Sequence, residues 1–145
     1  MEQELAELLA IRAIEQNIIR FARAMDDRDW ETNRAIMAED VVADMGRGRL
    51  EGPQAVIDLM RLYLDRCAVT QHLIGNIVVK VSGKSATSRA YVRDIHLAAE
   101  GGEETFYTLG DYHDRWEWRD GAWLMIERIK HNRANVGSIS RIFGL

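Results

Sequence analysis

Runs of β-branched and aromatic residues fill the second half of the chain, and this feature constrains the fold most. Four such runs follow one another from residue 69 onward, and short turn-like segments separate them. The dipeptide Asp120-Gly121 between the last two runs is typical of a tight β-hairpin. We therefore expect four long antiparallel strands. The runs are residues 69–81, 85–98, 105–118 and 123–131, and the separating segments are 82–84, 100–102 and 119–121.

The first half of the chain instead carries the three- and four-residue spacing of amphipathic helices. The apolar stripe of the first helix stops at the acidic segment 26–29. A second, shorter helix is expected to begin with Asp29 as its cap, to continue through Met37 and to end at Glu39 and Asp40. The stripe of the first helix comprises Leu8, Ile11, Ile14, Ile18, Phe21, Ala22 and Met25.

A short strand, 41–45, and a turn, 46–49, are expected next. Gly52-Pro53 then begins a third helix, because proline at the first helical position loses no hydrogen bond. Helices followed by antiparallel strands predict an α+β fold, with the helices covering one face of a mixed, mostly antiparallel sheet. If the sheet curls, its concave face and the helices enclose a pocket. We expect one domain over residues 1–145, since no linker or internal repeat divides the chain.

Charge and cysteine content exclude several classes of protein. Acidic residues outnumber basic ones by 23 to 19, so the formal charge is −4 and a nucleic-acid partner is not expected. The single cysteine, Cys67, excludes an intrachain disulfide, and the scattered histidines lack metal-ligand spacing, so we expect no metal. The sequence contains no GxGxxG motif and no P-loop, and we expect no cofactor. No apolar run approaches the roughly 18 residues of a membrane span, and the acidic start lacks signal-peptide features. We expect a cytoplasmic protein with no membrane partner.

The C-terminal tail, 134–145, contains glycine and serine and ends in apolar residues. It is either a flexible end or a segment that docks on the body or on a neighbouring subunit. Together with Trp116 and Trp118, it predicts some subunit interface, because exposed aromatic side chains usually mark contacts.

A histidine and an aspartate are the candidate acid–base residues. His72 lies on the first long strand, and imidazole is the natural proton acceptor near neutral pH. Taken alone, His72 has two possible roles, a hydrogen-bonded structural histidine or a general base. Asp26 fits a solvated carboxylate at a helix end, or an inward partner of His72, because Ala22 and Met25 beside it belong to the apolar stripe.

Arg128 is the candidate anion-binding residue. On strict alternation it shares a strand face with Leu124 and Ile126. A charged group among apolar neighbours is paired or functional. Arg128 therefore either stabilises a departing anion or an enolate-like oxygen, or forms an ion pair with Asp114 or Asp111.

Several short sequence segments, in their order along the chain, resemble the SnoaL-like branch of the nuclear-transport-factor-2-like superfamily, over about residues 8–133. The most specific segment is the one that contains His72. The segments are Asp26-Asp27-Arg28-Asp29-Trp30-Glu31, Ala38-Glu39-Asp40-Val41-Val42, Glu51-Gly52-Pro53-Gln54-Ala55-Val56, Thr70-Gln71-His72-Leu73-Ile74-Gly75-Asn76, Gly110-Asp111-Tyr112-His113-Asp114, and Arg119-Asp120-Gly121-Ala122-Trp123 followed by Arg128.

The resemblance implies a cone-shaped fold, with a strongly curved sheet wrapped on helices around a deep apolar pocket. The chain is most similar to the scytalone dehydratase, hexachlorocyclohexane dehydrochlorinase and bile-acid dehydratase group of cofactor-free lyases. In that group an Asp at the end of the first helix pairs with a His on the first long strand, and the matching residues here are Asp26 and His72. Arg128 matches a pocket arginine of the last strand. The resemblance also implies a homo-oligomer, either a trimer or a dimer.

Further residues are candidates for binding the substrate. His96 either faces the pocket, as a second histidine does in scytalone dehydratase, or pairs with Asp94 or water. Asn76 could bind a substrate oxygen, although a bulge at Gly75 would change its face. The tyrosine hydroxyls used by the related dehydratases are missing, since the nearby positions include Phe21 and Met25, which we expect to contact the substrate through apolar surface. The tyrosines that could replace them are Tyr63, Tyr91, Tyr107 and Tyr112.

These features predict a cofactor-independent lyase that acts on a small hydrophobic cyclic or aromatic substrate, with His72 as base and Asp26 orienting it. The leaving group would be water, halide or a small carbonyl fragment. One alternative is an isomerase of the ketosteroid type, in which a carboxylate acts alone as the base. The other is a non-catalytic subunit for small-molecule binding or assembly, with a filled or shallow cone.

Overall fold

The computed structural model describes residues 1–99 and 102–145, so Glu100 and Gly101 of the expected turn 100–102 lie outside the described residues. Within the described residues, helices α1 to α3 pack against one sheet, and a short helix α4 ends the chain. The elements are α1 Glu2–Asp26, α2 Trp30–Ile36, β1 Met37–Asp44, β2 Arg49–Glu51, α3 Pro53–Leu64, β3 Thr70–Ser82, β4 Ser85–Leu97, β5 Thr105–Arg119, β6 Ala122–Val136 and α4 Ile139–Phe143.

The sheet has the strand order β2-β1-β6-β5-β4-β3. The pair β1–β6 is parallel and the other pairs are antiparallel, so the sheet is mixed, and it is curved without closing. The expected α+β architecture is therefore confirmed. Asp120 and Gly121 have φ of +50° and +82° and join β5 to β6, as a two-residue hairpin turn with two left-handed residues requires.

The boundary between α2 and β1 differs from the sequence prediction. The helix ends at Ile36, and Met37 already belongs to β1, where it pairs with Met125 of β6. Glu39 and Asp40 lie inside this strand instead of ending the helix. Pairing with β6 and burial of Met37 outweigh the weak helical preference of the segment.

The core lies between α1, α3 and the concave face of the sheet. Ile14, Ile18 and Phe21 of the apolar stripe are buried there, whereas Leu8 is 63% exposed in the first turns of α1. Trp116 is fully buried, and its Nε1–H donates to Ser88 Oγ at 2.8 Å. The expectation that Trp116 marks a subunit interface is wrong, because it is a core residue.

The C-terminal tail packs on the body of the same chain. A Cβ at Gly137, whose φ is +101°, would overlap the carbonyl oxygen of Thr105, so this turn requires glycine. The turn leads into α4, whose Ile142 and Phe143 are buried against Phe106. No helix among the described residues has the length and hydropathy of a membrane span.

Candidate active site

A cavity of about 310 Å³ opens between the concave face of the sheet and the helices α3 and α4. Its volume is at the small end of the range of about 300–1,000 Å³ found for ligand sites. Apolar side chains form most of its wall: Met25, Met45, Leu59, Met60, Tyr63, Leu64, Phe106, Tyr112, Ile139 and Phe143. The polar side chains are Arg47, His72, Asp94, His96, Thr108, Lys130 and Asn132.

Asp26 and His72 form a hydrogen-bonded pair at this cavity. Asp26 is the last residue of α1, and its Oδ1 lies 2.6 Å from His72 Nδ1. Its Oδ2 accepts the backbone N–H of His72 at 2.9 Å. Because the carboxylate holds Nδ1–H, the neutral ring carries its lone pair on Nε2. The arrangement leaves Nε2 available to take a proton from a molecule in the cavity.

The environment keeps Asp26 ionised. Partial burial alone would raise the pKa of this carboxyl, but the hydrogen bonds from the His72 ring and backbone and from Thr70 hold it below its ordinary value. Thr70 Oγ1 donates to Asp26 Oδ1 at 3.0 Å. Asp26 can therefore both orient the imidazole and stabilise the imidazolium that forms when His72 accepts a proton.

Arg28 fixes the position of this pair, and the sequence reasoning missed it. Its guanidinium donates to Thr70 Oγ1 at 2.7 Å, to the Met25 carbonyl at 2.9 Å, to the Leu64 carbonyl at 3.1 Å and to the Ala68 carbonyl at 2.9 Å. These bonds join the ends of α1 and α3 to the start of β3. Arg28 holds a left-handed φ of +57°, which these contacts stabilise. In the sequence it is one charge in an acidic run, so no signal distinguished it from a solvated residue.

His96 lies in the cavity wall, and its Nδ1 also lies 3.8 Å from Asp94 Oδ1, so the two alternatives from the sequence do not exclude each other. Its ring centroid lies 5.9 Å from that of His72, and its Nδ1–H donates to the Phe106 carbonyl at 3.2 Å. Burial, with a smaller effect from His72, lowers the pKa of His96 to about 4, although Asp94 opposes this shift. His96 is therefore a neutral imidazole whose Nε2 can accept a hydrogen bond.

The lowered pKa of His96 predicts a pH-dependent stability. Between pH 6.5 and about 4 the unfolded chain protonates this histidine and the folded protein does not, so the free energy of unfolding falls as the pH falls through this window. Above pH 6.5 the free energy of unfolding is not reduced by this histidine, and the loss on lowering the pH to about 4 is about 3 kcal/mol. Urea unfolding between pH 4 and 7 measures it, and His96→Gln is expected to flatten the slope. His113→Gln is the matched variant, because the pKa of His113 is also lowered. A pH dependence of the free energy of unfolding that is unchanged in His96→Gln would contradict the assignment of this effect to His96.

Arg128 lies behind the wall of the cavity and does not line it. It is 1% exposed and makes two bonds of 2.8 Å to the carboxylate of Asp114. Its guanidinium stacks 3.8 Å from the centroid of Tyr112, a wall residue, and 4.7 Å from that of Phe21. The structure thus shows the ion pair of Arg128 that the sequence left as an alternative. The prediction that Phe21 binds the substrate is corrected, because its ring is fully buried in the core beneath the Arg128 guanidinium.

Two other predicted binding residues lie away from the cavity. Asn76 is exposed, with φ of +49°, at the bulge between Gly75 and Val78. Tyr91 is 45% exposed and lies under the guanidinium of Arg133 at 4.9 Å. Both predictions are corrected by strand geometry, because the bulge displaces Asn76 and strict alternation points Tyr91 away from the face that carries His96. Met25 lies in the cavity wall and stays a predicted binding residue.

Asp94, Thr108 and Lys130 form a second polar group in the wall, and the sequence reasoning did not select them as site residues. Lys130 Nζ lies 2.5 Å from Asp94 Oδ2 and 3.1 Å from Thr108 Oγ1. Thr108 donates to Asp94 Oδ1 through its hydroxyl at 2.6 Å and its backbone N–H at 3.2 Å. Alternation was the available signal, since Asp94 shares a strand face with His96 and Lys130 with Arg128.

Comparison with known proteins agrees with this fold. The family model described as SnoaL-like domain matches residues 6–129. A candidate scytalone dehydratase from Novosphingobium aromaticivorans superposes with a TM-score of 0.80 at 23% identity, covering 89% of this chain and 87% of its own. A type 2 hexachlorocyclohexane dehydrochlorinase gives 0.80 at 20% identity, covering 89% and 88%. A candidate dehydratase of the NTF2-like family from Streptomyces avermitilis gives 0.78 at 14% identity, covering 87% and 98%.

Proposed function

Since the chain belongs to the family of SnoaL-like domains, we propose that it is a cofactor-independent lyase that eliminates a small leaving group from a hydrophobic cyclic or aromatic substrate. The observation that carries the proposal is the 2.6 Å bond between His72 Nδ1 and Asp26 Oδ1 at the wall of an apolar cavity. The names of three structural neighbours, two dehydratases and one dehydrochlorinase, support this reaction class.

The elimination uses the dyad as general base. His72 Nε2 takes a proton from a substrate carbon, and the electrons of that C–H bond form a C=C bond to the neighbouring carbon. The bond from that neighbouring carbon to the leaving group breaks, and the leaving group takes its electron pair. Asp26 stabilises the imidazolium, which then returns the proton to the leaving group or to water. The sum is substrate to alkene plus HX, where X is hydroxyl, halide or another small anion.

The apolar wall supports this chemistry. A substrate that fills the cavity displaces water from it, and this strengthens the interaction of the dyad with the charge that develops on the substrate. A cavity of about 310 Å³ suits a small compound. The carboxylate-alone base of a ketosteroid-type isomerase is less well supported, because the His72 ring and backbone engage both oxygens of Asp26.

A panel of ring compounds tests the proposal. Each carries hydroxyl or halide on the carbon next to a C–H bond, and mass spectrometry detects loss of water or hydrogen halide. We expect the wild type to convert at least one class and His72→Gln to convert none above background. The matched variant His131→Gln removes an exposed histidine from the same sheet and is expected to keep the activity. Isomerisation without loss of a group, or equal conversion by His72→Gln, would contradict the proposal.

A further inference from the structure

The ion pair between Lys130 and Asp94 is unusual in its position. Asp94 is 1% exposed and the Lys130 side chain 12% exposed, and both lie in the cavity wall. Desolvating two charges costs several kcal/mol per ion, and apolar residues of similar volume would often serve stability as well. A charged pair in a wall that is otherwise mostly apolar therefore points to a role in binding.

The hydrogen bonds of this pair leave one donor of Lys130 unused. A lysine ammonium has three N–H donors. Asp94 Oδ2 and Thr108 Oγ1 take two of them, and no further acceptor of the protein bonds Lys130 Nζ among the described residues. Both oxygens of Asp94 are already engaged, because Thr108 donates twice to Oδ1. The pair therefore offers the cavity a positive donor without an unpaired negative acceptor.

Packing around the lysine stem fixes where the ammonium lies. A Cβ built on Gly110 would lie 3.0 Å from Lys130 Cε and 3.2 Å from Val92 Cγ1. The stem thus crosses β5 over a position that has no side chain. This close contact holds the ammonium beside Asp94 on β4.

The ammonium is within reach of the same substrate as the base. His72 pairs with Asp94 in the register of β3 and β4, so the base and the carboxylate that holds Lys130 lie on neighbouring strands, about 5 Å apart in backbone spacing. A reacting carbon about 3–3.5 Å from His72 Nε2 and an oxygen about 2.8 Å from Lys130 Nζ can belong to one carbonyl compound.

We infer that Lys130, held by Asp94, Thr108 and the space over Gly110, binds a carbonyl oxygen of the substrate. The substrate then loses its proton from the carbon next to that carbonyl group. The enolate part of this inference rests on the proposed function. His72 takes the proton, and the C–H electrons form a carbon–carbon double bond while the carbonyl electrons move onto oxygen. The N–H of Lys130 stabilises that oxyanion. The enolate electrons then expel the leaving group from the adjacent carbon, giving an unsaturated carbonyl compound and HX.

Binding of 4-nitrophenol tests the oxyanion site without any turnover. The phenolate form is coloured and the phenol form is not, so titration with protein at a fixed pH reports preferential binding of an oxygen anion on an unsaturated carbon. We expect the wild type to bind the phenolate. The neutral double variant Lys130→Met/Asp94→Asn is expected to raise its dissociation constant roughly 10- to 100-fold, the effect of one charged hydrogen bond. The matched variant Lys80→Met removes an exposed lysine of β3 and is expected to change nothing.

A second variant keeps the test decisive if the double variant does not fold. Gly110→Ala keeps both charges and displaces the lysine stem, and it is expected to weaken phenolate binding several-fold. Equal binding by wild type and by the folded variants, or no phenolate binding by the wild type, would overturn the inference. A loss of phenolate binding that appears only in Arg47→Met would also overturn it, since Arg47 is a separate cation in the cavity wall. Because the readout involves no elimination, an inactive substrate panel counts against the lyase and the enolate step that rests on it. Unchanged phenolate binding in the folded variants counts against the oxygen-binding site at Lys130.

Discussion

Replacing Asp26 by Asn is expected to lower kcat by about 10²- to 10⁴-fold, with a much smaller change in KM. The amide keeps the shape of the carboxylate and can still accept one hydrogen bond from His72. It carries no negative charge, however, so it cannot stabilise the imidazolium that forms when His72 accepts a proton. The loss therefore appears in the chemical step.

Asp27→Asn is the matched control for this experiment. Asp27 is the next residue in the chain and is exposed, whereas Asp26 is half-buried and bonded to His72 at 2.6 Å. We expect Asp27→Asn to retain wild-type kcat on the substrate identified by the panel. Circular dichroism and urea unfolding establish that both variants are folded. Equal turnover by the two variants would remove Asp26 from the mechanism.

Separating Arg128 from Asp114 is expected to cause the largest loss of stability. Arg128→Met leaves the Asp114 carboxylate buried without its partner, and the free energy of unfolding should fall by about 3–5 kcal/mol. Asp114→Leu leaves the guanidinium unpaired between Phe21 and Tyr112 and should cost a similar amount. The double variant Arg128→Met/Asp114→Leu is expected to lose less than either single variant, because no unpaired charge remains.

An exposed pair on the same two strands provides the comparison. Arg115 Nη1 and Glu127 Oε2 are 4.0 Å apart, and the arginine side chain is 59% exposed. Arg115→Met is therefore expected to change the free energy of unfolding by less than about 1 kcal/mol. Urea unfolding of all four variants at one pH measures these values. Additive losses in the double variant would contradict the desolvation argument.

Local sequence patterns were sufficient for most helices and strands, but not for β2, for α4 or for the boundary between α2 and β1. The spacing of Ile14, Ile18 and Phe21 predicts α1, and Asp120-Gly121 predicts the β5–β6 hairpin, because these signals arise from residues close together in the chain. Alternation along β4 is also a sufficient signal to separate Tyr91 from His96, since the strand is unbroken and an odd separation points two side chains to opposite faces.

The sequence predicted one part of the candidate site and misplaced another. The pairing of Asp26 with His72 came from resemblance to a family, because no local rule joins residues 46 positions apart. The bulge after Gly75 shifted Asn76 out of the predicted face, and such bulges have weak sequence signals.

Only the tertiary structure decided which charged residues face the cavity. Arg128 and Lys130 share one strand face, yet one is bound by Asp114 behind Tyr112 and the other by Asp94 in the cavity wall. Arg28 joins the end of α1 at Met25 to the segment from Leu64 to Thr70, which lies 36 to 42 residues further along the chain. The sequence determines which side of a strand each charge occupies only where the strand is unbroken. The bulge in β6 between Met125 and Glu127 places Arg128 on the face of Met125, and not on the face of Leu124 that alternation predicted. Sheet curvature, register and the approach of α1 to β3 determine which partner each charge meets, and these follow from contacts that form only when the whole chain is folded.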